Sequence, residues 1–310
     1  MSGAGERILV IKLGALGDIV QATGPFAAIR AQHPEAHITL LTTALYAGFL
    51  EAGGWFDAVI VDARPNWWQP RAWFDLRRRL RAGRFGRVYD LQTSNRSSFY
   101  YRLFLPGRIP EWSGIAIGCS HPHANRRRDG MHTVERQAEQ LAMAGIAAVP
   151  APSLDWVAAD IARFGLPPRY ALLVAGGSAH RPEKRWPAGR FAQLARRLAE
   201  RGVTPVLVGT AAEGGVNAMI ATFCDAARDL TGETGFADIV VLARGAAGAV
   251  GNDTGPMHLI ATAGAPSLVL FSQASNPDLC APRGAAVTVL RRPVLAELAV
   301  DEVEAALRLR

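Results

Sequence analysis

The chain has 310 residues, 49% hydrophobic and 20% charged, enough for two domains of about 150 residues with a core each and too apolar for intrinsic disorder. Lys and Arg number 34 against 27 Asp and Glu, a net charge of +7, and the 31 glycines follow no period, which excludes collagen and suits an α/β chain with many tight strand-to-helix turns. Cys119, Cys224 and Cys280 are sparse and lack CxxC spacing, so they support neither a disulfide framework nor a zinc knuckle and fit a reducing cytoplasm.

Only four apolar residues separate Arg7 from Lys12, too few for a signal-peptide core, and the run reads as a buried strand. Short Val/Ile/Leu runs then alternate with helical patterns, the signature of parallel sheets covered on both faces. The first half predicts strands at 7–13, 36–42, 57–62, 87–91 and 114–117, with helices at 19–32, 45–52, 71–81, 97–105 and 133–144. Pro25 falls inside the first helix and predicts a kink. The stretch AAVPAPS, 147–153, has two prolines and no helical pattern and marks a boundary between domains 1–152 and 153–310. The second half predicts strands at 170–175, 204–208, 249–251, 267–271 and 286–290, with helices at 188–201, 213–223, 237–244, 256–263 and 301–309, the last free to pack back toward the first domain. The longest stretch without Asp, Glu, Lys or Arg, 254–277, holds Pro256, Pro266 and His258, so it is no membrane span and a soluble protein is expected.

The turn after the first strand is Gly14-Ala-Leu-Gly17-Asp18, which is not G-x-G-x-x-G. A carboxylate at that helix start would repel a pyrophosphate, which disfavours a nicotinamide-dependent oxidoreductase. At the carboxyl end of a strand, Asp18 faces the ligand crevice of an open parallel sheet and suits proton acceptance; helix capping is the plain alternative.

In the second half, Gly251-Asn-Asp253-Thr254-Gly255-Pro256-Met-His258 follows a strand and opens a helix whose N–H groups and dipole suit a diphosphate. Asp253 would spoil that cradle unless its side chain turns back onto the loop, which is the expectation. His258 falls on the first turn, beside any phosphate or simply packed. A second anion element, Gly176-Gly177-Ser178, precedes Arg181, Lys184 and Arg185. Such a run is ordinarily a solvated basic loop, yet 32 of the 34 basic residues are Arg, and both lysines, Lys12 and Lys184, stand beside the proposed site loops. Glu213, after the strand at 204–208, could accept ribose hydroxyls or sit in a first helical turn, where acids are favoured. Trp67, Trp68, Trp73 and Phe74 lead into Arg77, Arg78, Arg79 and Arg81, a solvated helix with a packed stripe or a contact for lipid headgroups or phosphate. Cys119, His121 and His123 lack a fourth ligand and metal spacing.

Six pieces, ILVIKLGALGDIVQATGPFAAIRAQHPEAHITLL, VYDLQTSNRSS, MHTVERQAEQLAMAGI, GGSAHRPEKRWP, LVGTAAEG and GNDTGPMHLIATAGAPSLVLF, together resemble glycosyltransferase family 9, the ADP-heptose:lipopolysaccharide heptosyltransferases. The resemblance implies a GT-B fold, two Rossmann-like doubly wound domains facing a cleft, with acceptor on the first and nucleotide sugar on the second. It implies inverting transfer without a metal or other cofactor, ADP-heptose as donor, and an anionic glycolipid or oligosaccharide of the lipopolysaccharide type as acceptor. Under it, Asp18 is the general base, Lys184 meets the diphosphate, Asp253, Thr254, Gly255 and His258 surround phosphates and sugar, and Glu213 meets the nucleoside. Ser178 joins the donor set, and Gly14, Gly17, Gln92 and Arg96 are the acceptor candidates. The chain departs from the family's frequent Gly-Pro-Thr after the last core strand, where Phe271-Ser272-Gln273-Ala274 stands. Residues 1–155 hold 18 basic and 13 acidic side chains, which suits steering of a phosphorylated acceptor at an inner-membrane face by a cytoplasmic, peripheral enzyme. A non-catalytic nucleotide-sugar binding protein is the remaining rival. Nucleic acid is not expected, because no recognised binding module is present.

Overall fold

The computed structural model describes residues 5–177 and 180–310, and the chain divides into two compact units, Met1–Pro152 and Ser153–Arg310. Unit 1 runs β1 (Arg7–Ile11), α1 (Leu16–Gln21), α2 (Thr23–Gln32), β2 (His37–Thr42), α3 (Ala44–Glu51), β3 (Ala58–Val61), α4 (Pro70–Ala82), β4 (Arg87–Asp90), α5 (Asn95–Arg102), β5 (Glu111–Gly114), β6 (His121–Pro122) and α6 (Thr133–Met143). Unit 2 runs β7 (Tyr170–Val174), α7 (Ala188–Glu200), β8 (Thr204–Leu207), α8 (Gly214–Thr222), β9 (Arg228–Asp229), α9 (Phe236–Gly245), β10 (Gly248–Asn252), α10 (Gly255–Thr262), β11 (Ser267–Phe271), α11 (Pro277–Cys280), β12 (Val287–Arg291) and α12 (Val300–Ala306).

Each unit has one six-stranded sheet, ordered β3-β2-β1-β4-β5-β6 in the first and β12-β11-β10-β7-β8-β9 in the second, and every pairing is parallel. Counted within its own unit, each sheet has the same doubly wound order, which reverses between β1 and β4 in one and between β7 and β10 in the other. Ligands of such sheets bind outside the carboxyl ends of the strands at that reversal. Continuous apolar runs form the central strands because both of their faces are covered. Ile8, Leu9, Val10 and Ile11 of β1 are buried, as are all five residues of β7. Trp112, Leu80 and Tyr100 pack the unit 1 core and Trp186, Phe191 and Leu194 that of unit 2.

The structure moves some predicted elements. The helix expected at 19–32 is two helices, α1 and α2, which part at Ala22 because Pro25 has no N–H for the carbonyl of Gln21. The strand expected at 114–117 lies earlier, as β5. Buried Trp112 pairs in register with Val88 there, whereas Ile117, which looks like a strand residue, is 91% exposed in the turn that follows. β6 and β9 have two residues each, too few to show an alternation. α12 lies against α7, with Val300 and Val303 in the unit 2 core and Arg197 paired to Glu304 at 2.8 Å. No helix among the described residues is long and apolar enough to cross a membrane.

Candidate active site

At the reversal point of unit 1, the loops after β1 and β4 are tied together. Lys12 Nζ donates to the Leu91 carbonyl at 3.1 Å, and the Leu13 N–H donates to Gln92 Oε1 at 2.8 Å. The β4 loop is shaped in turn by Asp90, whose Oδ1 accepts the N–H groups of Gln92 at 3.1 Å and Thr93 at 3.0 Å, with Thr93 in the left-handed region at φ 44°. Gln140 of α6 steadies the strand end from behind, donating to the Asp90 carbonyl at 3.0 Å. Burial pushes the Lys12 ammonium below its usual range; the carboxylates of Asp18 and Asp90 oppose this and the Arg136 guanidinium adds to it. Burial raises Asp90 to about 6 against the pull of Thr93, Ser97, Gln92 and Lys12.

Asp18 rides on this assembly. It is the third residue of α1, and its Oδ2 accepts the Ala15 N–H at 3.2 Å, so it steadies the helix start without being the N-cap residue itself. The carboxylate remains partly exposed. Gly14 has φ 127°, and a Cβ there would come within 2.8 Å of the Tyr46 ring, so only glycine fits this turn. Burial first, and then the Asp18 carboxylate, push the Tyr46 phenol above its ordinary range. Gly17 is buried in α1. Gln92 is taken up in the stitch just described. Arg96 lies over the Trp73 ring, 5.6 Å from its centroid, and donates to the Pro65 carbonyl at 3.2 Å, which holds the loop after β3.

At the reversal point of unit 2, the organising residue is Asn252, at the end of β10 and fully buried. Its Nδ2 donates to the carbonyls of Ala175 at 2.9 Å and Gly176 at 3.0 Å, and its Oδ1 accepts the Trp186 N–H at 2.9 Å. Trp186 is anchored at its other end by Nε1 on the Leu298 carbonyl at 2.9 Å. The basic loop between β7 and α7 is thereby clamped to β10. Lys184 Nζ then meets Asp253 Oδ2 at 2.6 Å, with side chains 14% and 9% exposed. Arg185 donates to the Gly177 carbonyl at 2.6 Å, so two of the three cations in this loop are held in place and only Arg181 is exposed.

Asp253 is engaged by two loops at once, because Oδ2 also accepts the Ser275 hydroxyl at 2.6 Å. Thr254 is the N-cap residue of α10, but its hydroxyl donates to the Asn252 carbonyl at 3.3 Å and its side chain caps no N–H. Among the described residues no side chain caps this first turn, in which Gly255 leads, Pro256 follows and His258 is buried, and such an opening suits an incoming anion. Glu213 Oε2 accepts the N–H of Thr210 at 2.8 Å and its hydroxyl at 2.5 Å, and a Cβ on Gly176 would fall 2.2 Å from Glu213 Cγ. This places Glu213 directly beside the β7 loop. Ser178 lies outside the described residues. The sequence reading missed Asn252, Ser275, Asp90 and Tyr46. A polar residue ending a buried strand was a signal for Asn252 and Asp90, while Ser275 and Tyr46 meet the site only through the fold.

Comparison with known proteins shows the family of the chain. The family model described as glycosyltransferase family 9 (heptosyltransferase) matches residues 73–304. The chain belongs to glycosyltransferase family 9. Lipopolysaccharide heptosyltransferase 2 of Escherichia coli (strain K12) is 32% identical over 123 residues, 37% of this chain, and the match spans only 34% of that relative's length. A glycosyl transferase family 9 structure from Veillonella parvula superposes with a TM-score of 0.84 at 21% identity, covering 97% of this chain and 95% of the other. The E. coli heptosyltransferase WaaC with ADP gives 0.76 at 21% identity, covering 96% and 98%. At that identity the likeness is one of fold, and the fold shared with these family 9 proteins is GT-B, two Rossmann-like units.

Proposed function

We propose that this family 9 chain is an inverting glycosyltransferase that moves a sugar, heptose from ADP-heptose, onto a hydroxyl of an anionic lipopolysaccharide-type acceptor, with unit 2 binding the donor and unit 1 the acceptor. The observation that carries the reading is the pinned ammonium of Lys184, held by Asp253 at the open start of α10. A fixed cation beside a helix N-terminus answers the charge that builds on a departing nucleoside diphosphate. The reaction is a single displacement at the anomeric carbon. The acceptor oxygen forms the new bond, the bond to the β-phosphate oxygen breaks, Asp18 takes the acceptor proton, and the diphosphate leaves with the electron pair. Lys184 and the α10 backbone supply the positive charge at the leaving group, so the proposed mechanism routes no step through a metal. Glu213 faces the nucleoside, and Thr254, Gly255 and His258 line the phosphates and sugar. Gly14, Gly17, Gln92 and Arg96 build the acceptor side, with Gln92 and Arg96 acting through the loops they hold. ADP in the WaaC structure supports the choice of nucleotide. The acceptor reading places the enzyme at the cytoplasmic face of the inner membrane as a peripheral protein.

A thermal-shift panel of ADP, UDP, GDP and NAD, followed by transfer from ADP-heptose, tests this reading. Stabilisation by ADP, weaker effects of the other nucleotides, and release of ADP only with acceptor present are expected. Stabilisation by NAD alone would return the oxidoreductase reading, and binding of ADP without transfer would leave a nucleotide-sugar binding protein.

A further inference from the structure

The stretch from 63 to 108 holds eleven arginines against two aspartates, a larger surplus of positive charge than the +7 of the whole chain. Of those two carboxylates Asp90 is fully buried and Asp75 is paired to Arg78, and Glu111 just beyond the stretch takes Arg87, so among the described residues the other arginines are offset by no ion pair. The same stretch exposes large apolar side chains. Trp67 is 84% exposed, Trp68 60% and Phe74 63%, with Phe99 and Leu105 also exposed.

The fold joins these residues into one face. α4 turns Leu76 and Leu80 inward and leaves Arg71, Phe74, Arg78 and Arg81 outward at helical spacing, with Trp67 and Trp68 at its amino end. Trp73 packs edge to face on Phe99 of α5 with centroids 5.2 Å apart, and Arg77 donates to the carbonyls of Leu103, at 3.0 Å, and Leu105. These contacts tie α4 to α5 and to the turn that carries Leu105. Indole rings favour the boundary between headgroups and acyl chains, and arginines favour lipid phosphates, so an aromatic and arginine face is complementary to an anionic bilayer. The inward stripe of α4 is spent on the core, which limits insertion to the exposed rings and makes the contact shallow and reversible.

We propose that the α4–α5 face of unit 1 is a membrane-docking surface whose partner is an anionic phospholipid bilayer, with Trp67, Trp68 and Phe74 entering the interface and Arg71, Arg78 and Arg81 meeting headgroup phosphates. It deepens the acceptor reading above and rests on it for its purpose, since an enzyme serving a lipid-borne acceptor gains from being held at the lipid surface. Its structural basis is independent of that reading. A nucleic acid is the less suited partner, because Trp67 and Trp68 stand at 89° to each other and do not offer parallel faces to successive bases.

Co-sedimentation of the full chain with vesicles tests the docking face without any glycan acceptor, so its outcome stands apart from the transfer reaction. The wild-type chain is expected to pellet with phosphatidylethanolamine vesicles containing roughly a quarter phosphatidylglycerol, to ignore phosphatidylcholine vesicles, and to be released by high salt. Trp67→Ser with Trp68→Ser should weaken partitioning by about ten-fold, and Arg71→Gln, Arg78→Gln and Arg81→Gln together by about a hundred-fold. The exposed triple Arg196→Gln, Arg291→Gln and Arg308→Gln removes the same charge from unit 2 and should partition like wild type. A cooperative thermal unfolding transition close to that of wild type, measured without any nucleotide, shows that each variant is folded. Equal losses in the two arginine triples, unchanged partitioning in the tryptophan variant, absence of the wild-type chain from the anionic vesicles, or capture of a single-stranded oligonucleotide in their place would overturn the proposal.

Discussion

Lys184 and Asp253 form an ion pair of 2.6 Å across 69 residues of sequence, joining the basic loop after β7 to the end of β10. Because Asp253 is shared with the Ser275 hydroxyl, the ammonium is held in one place before any ligand arrives. Such preorganisation is what lets a cation stabilise developing charge without a reorganisation cost.

Lys184→Ala should therefore weaken ADP by about ten- to a hundred-fold, the worth of a charge-assisted hydrogen bond, and slow transfer as well. Titration of ADP by calorimetry, with single-turnover transfer beside it, makes the comparison. A variant that binds ADP like wild type and loses only acceptor affinity would contradict the placement of Lys184 on the diphosphate.

Asp18→Asn separates the chemical role of this side chain from its structural one. The amide oxygen can still accept the Ala15 N–H, so the start of α1 should persist, whereas proton acceptance is lost and the transfer rate should fall by about 10²- to 10⁴-fold. ADP affinity should hold within a factor of about two, because Asp18 belongs to the unit assigned to the acceptor. Near-normal turnover in the folded variant would remove Asp18 as the base.

What the sequence made legible follows from how local each cause is. The central strands showed as unbroken Val, Ile and Leu runs, and Gly14, Asp18, Thr254 and Gly255 stood out because strand-to-helix turns carry their geometry in a few adjacent residues. The stretch 114–117 misled because three apolar residues in a turn look like a strand until a partner such as Val88 fixes the register on Trp112. Ser275 and Tyr46 were invisible for a different reason. Each reaches its loop from a separate element, 22 residues beyond Asp253 and 32 beyond Gly14, and no spacing rule encodes that. Gln92 and Arg96 were legible as members of a motif but not as struts, since only the fold shows that their polar atoms hold backbone.

Asp90 makes stability depend on pH in a defined direction. Burial raises it from an ordinary 3.8 to about 6, so between those values the folded chain holds a proton that the unfolded chain has lost. The stabilisation is fully present below the unfolded value and is lost as pH rises through the folded one, about 3 kcal/mol in all. Asp90→Asn keeps an acceptor for the Gln92 and Thr93 N–H groups without that titration. Urea unfolding of both proteins at several pH values should show the variant gaining on wild type from pH 4 to pH 7, since titrations common to both cancel. A difference that stays flat across this range would mean that Asp90 titrates normally.

Gly176→Ala tests the donor side through a contact that touches no ligand. The new methyl would lie 2.2 Å from Glu213 Cγ, and Glu213 can make room only by swinging off the Thr210 N–H and hydroxyl. If Glu213 meets the nucleoside, the substitution should weaken ADP about as much as Glu213→Ala does, on the order of ten-fold, and the double variant should be no worse than either single one. Asn252 remains in place beneath the loop, holding the carbonyls of Ala175 and Gly176, so the melting temperature without ligand should fall far less than the affinity for ADP. Additive losses in the double variant would mean that Gly176 serves the donor loop on its own account and that Glu213 stands elsewhere in the bound state.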